Sequence, residues 1–170
     1  MQLFSNIVVF AIINNGNFKD YMEDPSMQSN SVTDVAITAP YGIMLLRVAL
    51  GVMWIAHALL KLVVFTLPGT AAFFETVGLP GFLAYPVFAA ELIGGVAILL
   101  GIYARYFSLI LLPILLVATW VHFPNGWVHT SPNGGWEFPL FLVIASLAHG
   151  LLGDGAYALK PSPQRRSLGT

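Results

Sequence analysis

Between Tyr41 and Phe65 the chain carries a membrane-length apolar helix that nonetheless contains Arg47, His57 and Lys61. An arginine or lysine at the centre of a membrane helix costs about 2.5 to 3.5 kcal/mol, so such residues usually face a bundle interior, a wet cavity or the interface. Helical spacing puts them on one side. At roughly 100° per residue, Trp54 lies about 20° from Arg47 around the axis, Lys61 about 40° and His57 about 80°. Val48, Val52, Ile55, Leu59 and Val63 fall on the opposite side, toward lipid. The expected fold is an all-α membrane bundle with a polar seam.

Composition points the same way. Of 170 residues, 57% are hydrophobic and only 9% charged, with a mean hydropathy of +0.79, against about 25% charged in soluble domains. Between Tyr41 and Trp136 the only charged residues are Arg47, Lys61, Glu75, Glu91 and Arg105. The net charge of -1 comes with no basic patch, which excludes nucleic acid as a partner and leaves the lipid bilayer. The absence of cysteine excludes disulfides, thiolate catalysis and thiolate metal sites, so any redox role requires a bound cofactor or a partner protein. No metal site is expected.

Residues 1–40 differ from the rest. Leu3 to Ile13 is apolar but too short to span and lacks a basic flank or a small-residue cleavage site, so it reads as an interfacial segment or a misassigned start ahead of a weak signal peptide. Asn14 to Thr38, rich in Asn, Asp and Ser, reads as a mobile polar leader. Residues 41–157 are the membrane domain, and 158–170 a basic cytoplasmic tail.

Four spans are expected in that domain: Tyr41–Phe65, Phe82–Ile102, Tyr103–His122 and Glu137–Leu152. Pro68 and Gly69 should stop the first, and Thr70 to Val77 form a short interfacial helix capped by Thr70 and ended by Gly78 and Pro80, with Phe73 and Phe74 in the headgroup layer. Pro113 should kink the third span without ending it. Lys19, Arg105, Lys160, Arg165 and Arg166 share one side, whereas the loops 66–81 and 123–135 hold no Lys or Arg. The positive-inside rule then puts both termini in the cytoplasm and gives an up-down-up-down four-helix bundle in the inner membrane.

Rise per residue assigns each polar group a depth. From the outer ends of the spans, His57 lies about 12 Å deep and Glu91 about 13 to 14 Å, so these two can meet. Ala90 and Gly94 form a small-xxx-small pair beside Glu91 that admits a close neighbour. Two readings stay open for Glu91, a polar clamp between helices and a ligand or proton site. Lys61, His122 and Glu137 gather within roughly 6 Å of the outer surface, as a pocket mouth under Trp120 and Trp136 or as exposed interfacial residues. Arg47, about 27 Å from that surface, falls level with Asp154, either as a structural ion pair or snorkelling to the headgroups. The histidines differ in depth, which disfavours haem. His129 reads as a solvated loop residue and His149 as a satisfied core histidine.

In order along the chain stand Arg47 with Gly51, His57-x-x-x-Lys61, Thr70 to Phe74, Gly78-Leu79-Pro80, Glu91-x-x-Gly94-Gly95, Gly101-x-x-x-Arg105, Ala118 with His122, Trp136-Glu137-Phe138-Pro139 and Gly153-Asp154-Gly155-Ala156-Tyr157. This set resembles the DoxX family of small four-span bacterial membrane proteins over about Leu45 to Leu159. His57 is followed here by Ala58, where the family often has glycine. The resemblance implies a membrane subunit or anchor of a redox or detoxification assembly: some relatives are similar to the membrane subunit of a thiosulfate:quinone oxidoreductase, others belong with sulfur-transfer and oxidative-stress enzymes. It therefore implies a soluble or peripheral oxidoreductase as partner and quinone as the ligand to test beside His57, Lys61 and Glu91. It assigns no catalytic residue. A small permease or proton-coupled carrier, and a purely structural membrane protein, are the alternatives.

Overall fold

The computed structural model describes residues 25–163, with side chains from Asp34 onward. Helix α1 (Pro25–Leu59) runs directly into a π-helical turn over Leu60–Val64, closed by the Phe65 N–H donating to the Leu60 carbonyl at 2.9 Å. The polar leader expected over residues 1–40 is helical where it is described, from Pro25. Leu3 to Ile13 lies outside the described residues.

The remaining helices are α2 (Leu67–Thr76), α3 (Ala84–Leu100), α4 (Ala104–Ile110), α5 (Leu112–His122) and α6 (Glu137–Leu152). Among the described residues three helical stretches are long and apolar enough to cross a membrane, Asp34–Val64, Gly81–Leu100 and Ala104–Asn125; α6 is apolar but shorter. Among the described residues there is no strand, only an isolated parallel bridge between Ile102 and Lys160.

Local chemistry explains the boundaries. Pro68 does not stop a helix; it sits in the first turn of α2, where its missing N–H has no partner to lose. Thr66, not Thr70, is the cap, its Oγ1 accepting from the Gly69 N–H at 3.2 Å. The Thr70 hydroxyl donates to the Thr66 carbonyl at 2.9 Å instead. Gly101, at φ 71°, ends α3 in the left-handed conformation, with the Ile102 N–H reaching back to the Ala97 carbonyl at 2.9 Å. Near Pro113 the helix is interrupted at the single residue Leu111, between α4 and α5.

Leu50 and Trp54 of α1 join Ile98 of α3, Leu111, Leu115 of α5 and Val143 and Ala145 of α6 in one apolar core. Of the opposite stripe, Val48, Val52 and Leu59 of α1 and Val63 of the π turn are exposed, whereas Ile55 is half-buried and packs beside Gly95. Helices α1 and α3 approach through glycines. A Cβ on Gly51 would stand 2.7 Å from the Leu99 nitrogen, and one on Gly95 would stand 2.9 Å from Trp54 Cβ. Gly94 and Gly95, singled out for closeness to a neighbour, thus admit Leu111 and Trp54.

Beyond α6 the chain folds back across the helix ends. Leu159 and Lys160 donate to the Leu100 and Gly101 carbonyls at 3.1 and 3.0 Å, and the Tyr103 N–H donates to the Lys160 carbonyl at 2.8 Å. Arg47, 3% exposed, forks onto main-chain oxygens, giving Nη1 to Asp154 at 2.8 Å and Nη2 to Ala156 and Tyr157 at 3.1 and 3.3 Å. Arg47 and Asp154 therefore meet through the aspartate's carbonyl. The carboxylate is taken by the N–H groups of Arg105, at 2.7 Å, and Ser162.

Burial pushes the Asp154 carboxyl up, but those Ser162 and Arg105 donors outweigh it and hold it below the usual range. A depressed carboxylate stabilises the fold above its ordinary pKa and loses that contribution as the pH falls through the lower folded value. Wild type is accordingly expected to lose melting temperature on acidification through that window. Asp154→Asn, which must turn an NH2 toward one of two donors, is expected to be about 1 to 3 kcal/mol less stable at neutral pH. It should also show a flatter acid limb. Detergent melting curves between pH 7 and 3 check both.

Candidate functional site

Glu91 lies on the buried face of α3, 3% exposed. Lys61 lies across from it on the π-helical turn and donates from Nζ to both carboxylate oxygens, at 2.9 and 2.8 Å. The lysine side chain keeps 18% exposure against 3% for the glutamate. A two-oxygen, charge-assisted contact satisfies a group whose solitary burial would be costly. The π turn has a positional effect: one extra residue per turn re-phases the helix, and such insertions recur at functional sites.

The pair faces a cavity of about 690 Å3 walled by α1, α2, α3, α5, α6 and the loop before α6. The wall is mostly aliphatic and aromatic, with His57, His122 and His129 as further polar groups. His57 Nδ1 lies 2.9 Å from the Met53 carbonyl, and its ring stacks on Phe138 at 6.1 Å between centroids and 18° between planes. His122 Nδ1 lies 3.0 and 3.2 Å from the carbonyls of Asn133 and Gly134. Asn125 steadies that loop by donating to the Gly134 carbonyl at 2.9 Å. Trp127 and Trp136 meet edge to face at 4.4 Å.

Four of the five residues proposed from sequence for the polar cluster, His57, Lys61, Glu91 and His122, line this one cavity. Glu137 does not. Its Oε1 accepts from the His129 N–H at 2.7 Å and lies 2.7 Å from His129 Nδ1, beside a separate hollow with Trp127 and Phe141. The partner of Lys61 is the deeper carboxylate. Depth arithmetic missed this because it measured backbone positions, and a lysine reaches about four bonds past its own Cβ to snorkel in either direction.

Two features had no sequence signal. His129, read as a solvated loop residue, pairs with Glu137 and reaches the cavity wall. Thr66 has φ 60° and ψ 155°, a region essentially reserved for glycine, between the π turn and α2. That corner turns Phe73, Phe74 and Val77 of α2 onto the cavity. His149 is fully buried, with Ser108 Oγ 2.8 Å from Nδ1 and Nε2 unpartnered among the described residues, so it is only half satisfied.

The cavity can hold a flat or chain-bearing apolar molecule with a small polar head, its apolar body against the wall and its head among the imidazoles, the ammonium and the carboxylate. The family model described as DoxX matches residues 42–124. The chain is 33% identical over 120 residues to a Bacillus subtilis (strain 168) protein named "Putative oxidoreductase CatD", an alignment covering 71% of this chain and 85% of that one. No solved structure matches the chain.

Proposed function

Because this chain belongs to the DoxX family of membrane proteins, we propose that it is the membrane subunit or anchor of a redox or detoxification assembly, with the cavity beside Lys61 and Glu91 binding a quinone. The observation that carries the reading is an apolar cavity of about 690 Å3 whose polar groups are Lys61 paired with the buried Glu91 and the imidazoles of His57, His122 and His129. A quinone matches that division, an apolar tail and a ring with oxygens that need a few placed partners. The relative's name, an oxidoreductase, supports the same class of chemistry. With no cysteine in the chain, electrons reach or leave the quinone through a soluble or peripheral oxidoreductase docked at the membrane. The polar cluster His57, Lys61, Glu91 and His122 is the ligand site in this reading, with Glu137 a loop anchor beside it. Arg47 and Asp154 hold the far end of the fold.

In the bilayer the three long apolar helices are spans, and α6 is the fourth. Its 16 residues rise about 24 Å, short of a core about 30 Å thick, a mismatch that local thinning of the bilayer accommodates. Helix α2 lies in the outer interface. Both termini face the cytoplasm of an inner membrane, after the lysine and arginine distribution. Residues 1–40 precede this domain, residues 41–157 form it, and residues 158–170 follow as a basic tail. Reporter fusions after Gly155 are expected to be cytoplasmic and fusions within Asn125–Gly135 external. A loop labelled only from the cytoplasm would overturn the four-span topology.

The binding claim is tested with purified protein in nanodiscs. Saturable binding of a short-tailed quinone, weakened by Glu91→Gln, supports it, as does copurification of an oxidoreductase. Transport of a solute by reconstituted vesicles with no quinone binding would favour a carrier instead.

A further inference from the structure

Donors and acceptors in the cavity are not balanced. A carbonyl only accepts, so His57 Nδ1, 2.9 Å from the Met53 oxygen, carries the proton in the neutral ring. The same holds for His122 Nδ1, 3.0 Å from the Asn133 oxygen and 3.2 Å from that of Gly134. Each imidazole is thus fixed in the tautomer that leaves Nε2 as a bare acceptor, and neither Nε2 has a hydrogen-bond partner among the described residues. Glu91 adds the lone pairs that Lys61 does not occupy. Among the described residues that line the cavity, the side-chain donors left over are the third N–H of Lys61 and the indole N–H of Trp54, since no hydroxyl or amide side chain lines it.

Resting on the quinone reading above, we infer that the cavity selects the reduced form, a hydroquinone, over the oxidised quinone. A hydroquinone hydroxyl donates and accepts at once, so one oxygen answers Lys61 while its hydrogen answers His57 Nε2, and a hydroxyl at the other end of the molecule is available to a second acceptor. A quinone carbonyl satisfies the lysine only and, once it has displaced water from the cavity, leaves the imidazole nitrogen that faces it unpaired. Leaving a buried acceptor unpaired is more costly than the bond itself is worth, and sites built to accept from a hydroxyl reject analogues that lack it. The selection acts on binding alone. It transfers no electron, and its effect is to raise the potential of the bound couple, favouring uptake of electrons by the quinone in place.

The test uses the full chain in nanodiscs under anaerobic conditions, with one short-tailed benzoquinone and its own hydroquinone, each affinity measured by equilibrium dialysis. Wild type is expected to bind the hydroquinone at least about tenfold more tightly, which for a two-electron couple raises the bound midpoint potential by about 30 mV. His57→Phe, which keeps the stacked ring and removes the acceptor, should bring the ratio of the two affinities toward one. Its melting temperature reports folding, and His122→Phe provides a second variant if the first is unstable. Equal affinities in wild type, tighter quinone binding, or a preference that survives both substitutions overturns the selection and leaves quinone binding standing. If neither form binds, the quinone reading itself falls, and the selection with it.

Discussion

Lys61→Ala is expected to destabilise the protein more than the double substitution Lys61→Leu with Glu91→Leu. Removing the ammonium strands a carboxylate that is 3% exposed and has lost both of its hydrogen bonds. Breaking a buried pair at one end costs about 3 to 5 kcal/mol, while exchanging both members for apolar residues is often neutral. Because the lysine keeps 18% exposure, the loss should fall near the low end of that range. Thermal melting of the single and double variants in detergent gives the comparison. Similar melting temperatures for Lys61→Ala and wild type would mean that Glu91 is protonated and needs no cation.

Gly51→Leu is expected to prevent α1 and α3 from closing. The clash is with main chain, since the first added carbon would stand 2.7 Å from the Leu99 nitrogen and 2.8 Å from its Cα. A flexible side chain could turn aside, but a helix backbone cannot. Overpacking of an ordinary core site costs about 1 to 3 kcal/mol, and a fixed backbone neighbour places this site beyond that range. The separation also sets the cavity, because Leu50, Trp54 and His57 reach it from α1, Lys61 from the π turn that follows and Glu91 from α3. Loss of membrane-inserted, monodisperse protein is the readout, and Gly42→Leu, where an added carbon meets nothing within 4 Å, is the control. Equal yields of the two would contradict the close packing.

The helices were legible because their signals are local. Apolar runs fixed α3, α5 and α6, and α6 begins and ends at the expected Glu137 and Leu152. The exposed stripe at Val48, Val52, Leu59 and Val63 followed from a 3.6-residue period, and Ile55 departs from it because Gly95 leaves room for its side chain. Pro68 was misjudged because the same residue both breaks a helix and opens one, and only the Thr66 cap decides between them. The grouping of His57, Lys61, Glu91 and His122 on one cavity was partly legible from depth. The identity of the pair was not, since it depends on rotamers and on a π turn that sequence does not announce. Nor was the fork of Arg47 onto carbonyl oxygens, because main-chain acceptors carry no residue signature.

The account turns on whether the Lys61–Glu91 pair serves a ligand or only ties α1 to α3. An amide in place of the carboxylate still accepts from Lys61 and still fills the same volume, so Glu91→Gln separates the two roles. The decisive measurement is hydroquinone and quinone affinity of that variant in nanodiscs, taken alongside its membrane abundance and melting temperature. The account predicts folded protein at near wild-type abundance with hydroquinone binding weakened by about tenfold, the loss of one charge-assisted contact. Wild-type affinity in a folded Glu91→Gln variant would contradict it and leave the pair as a structural clamp.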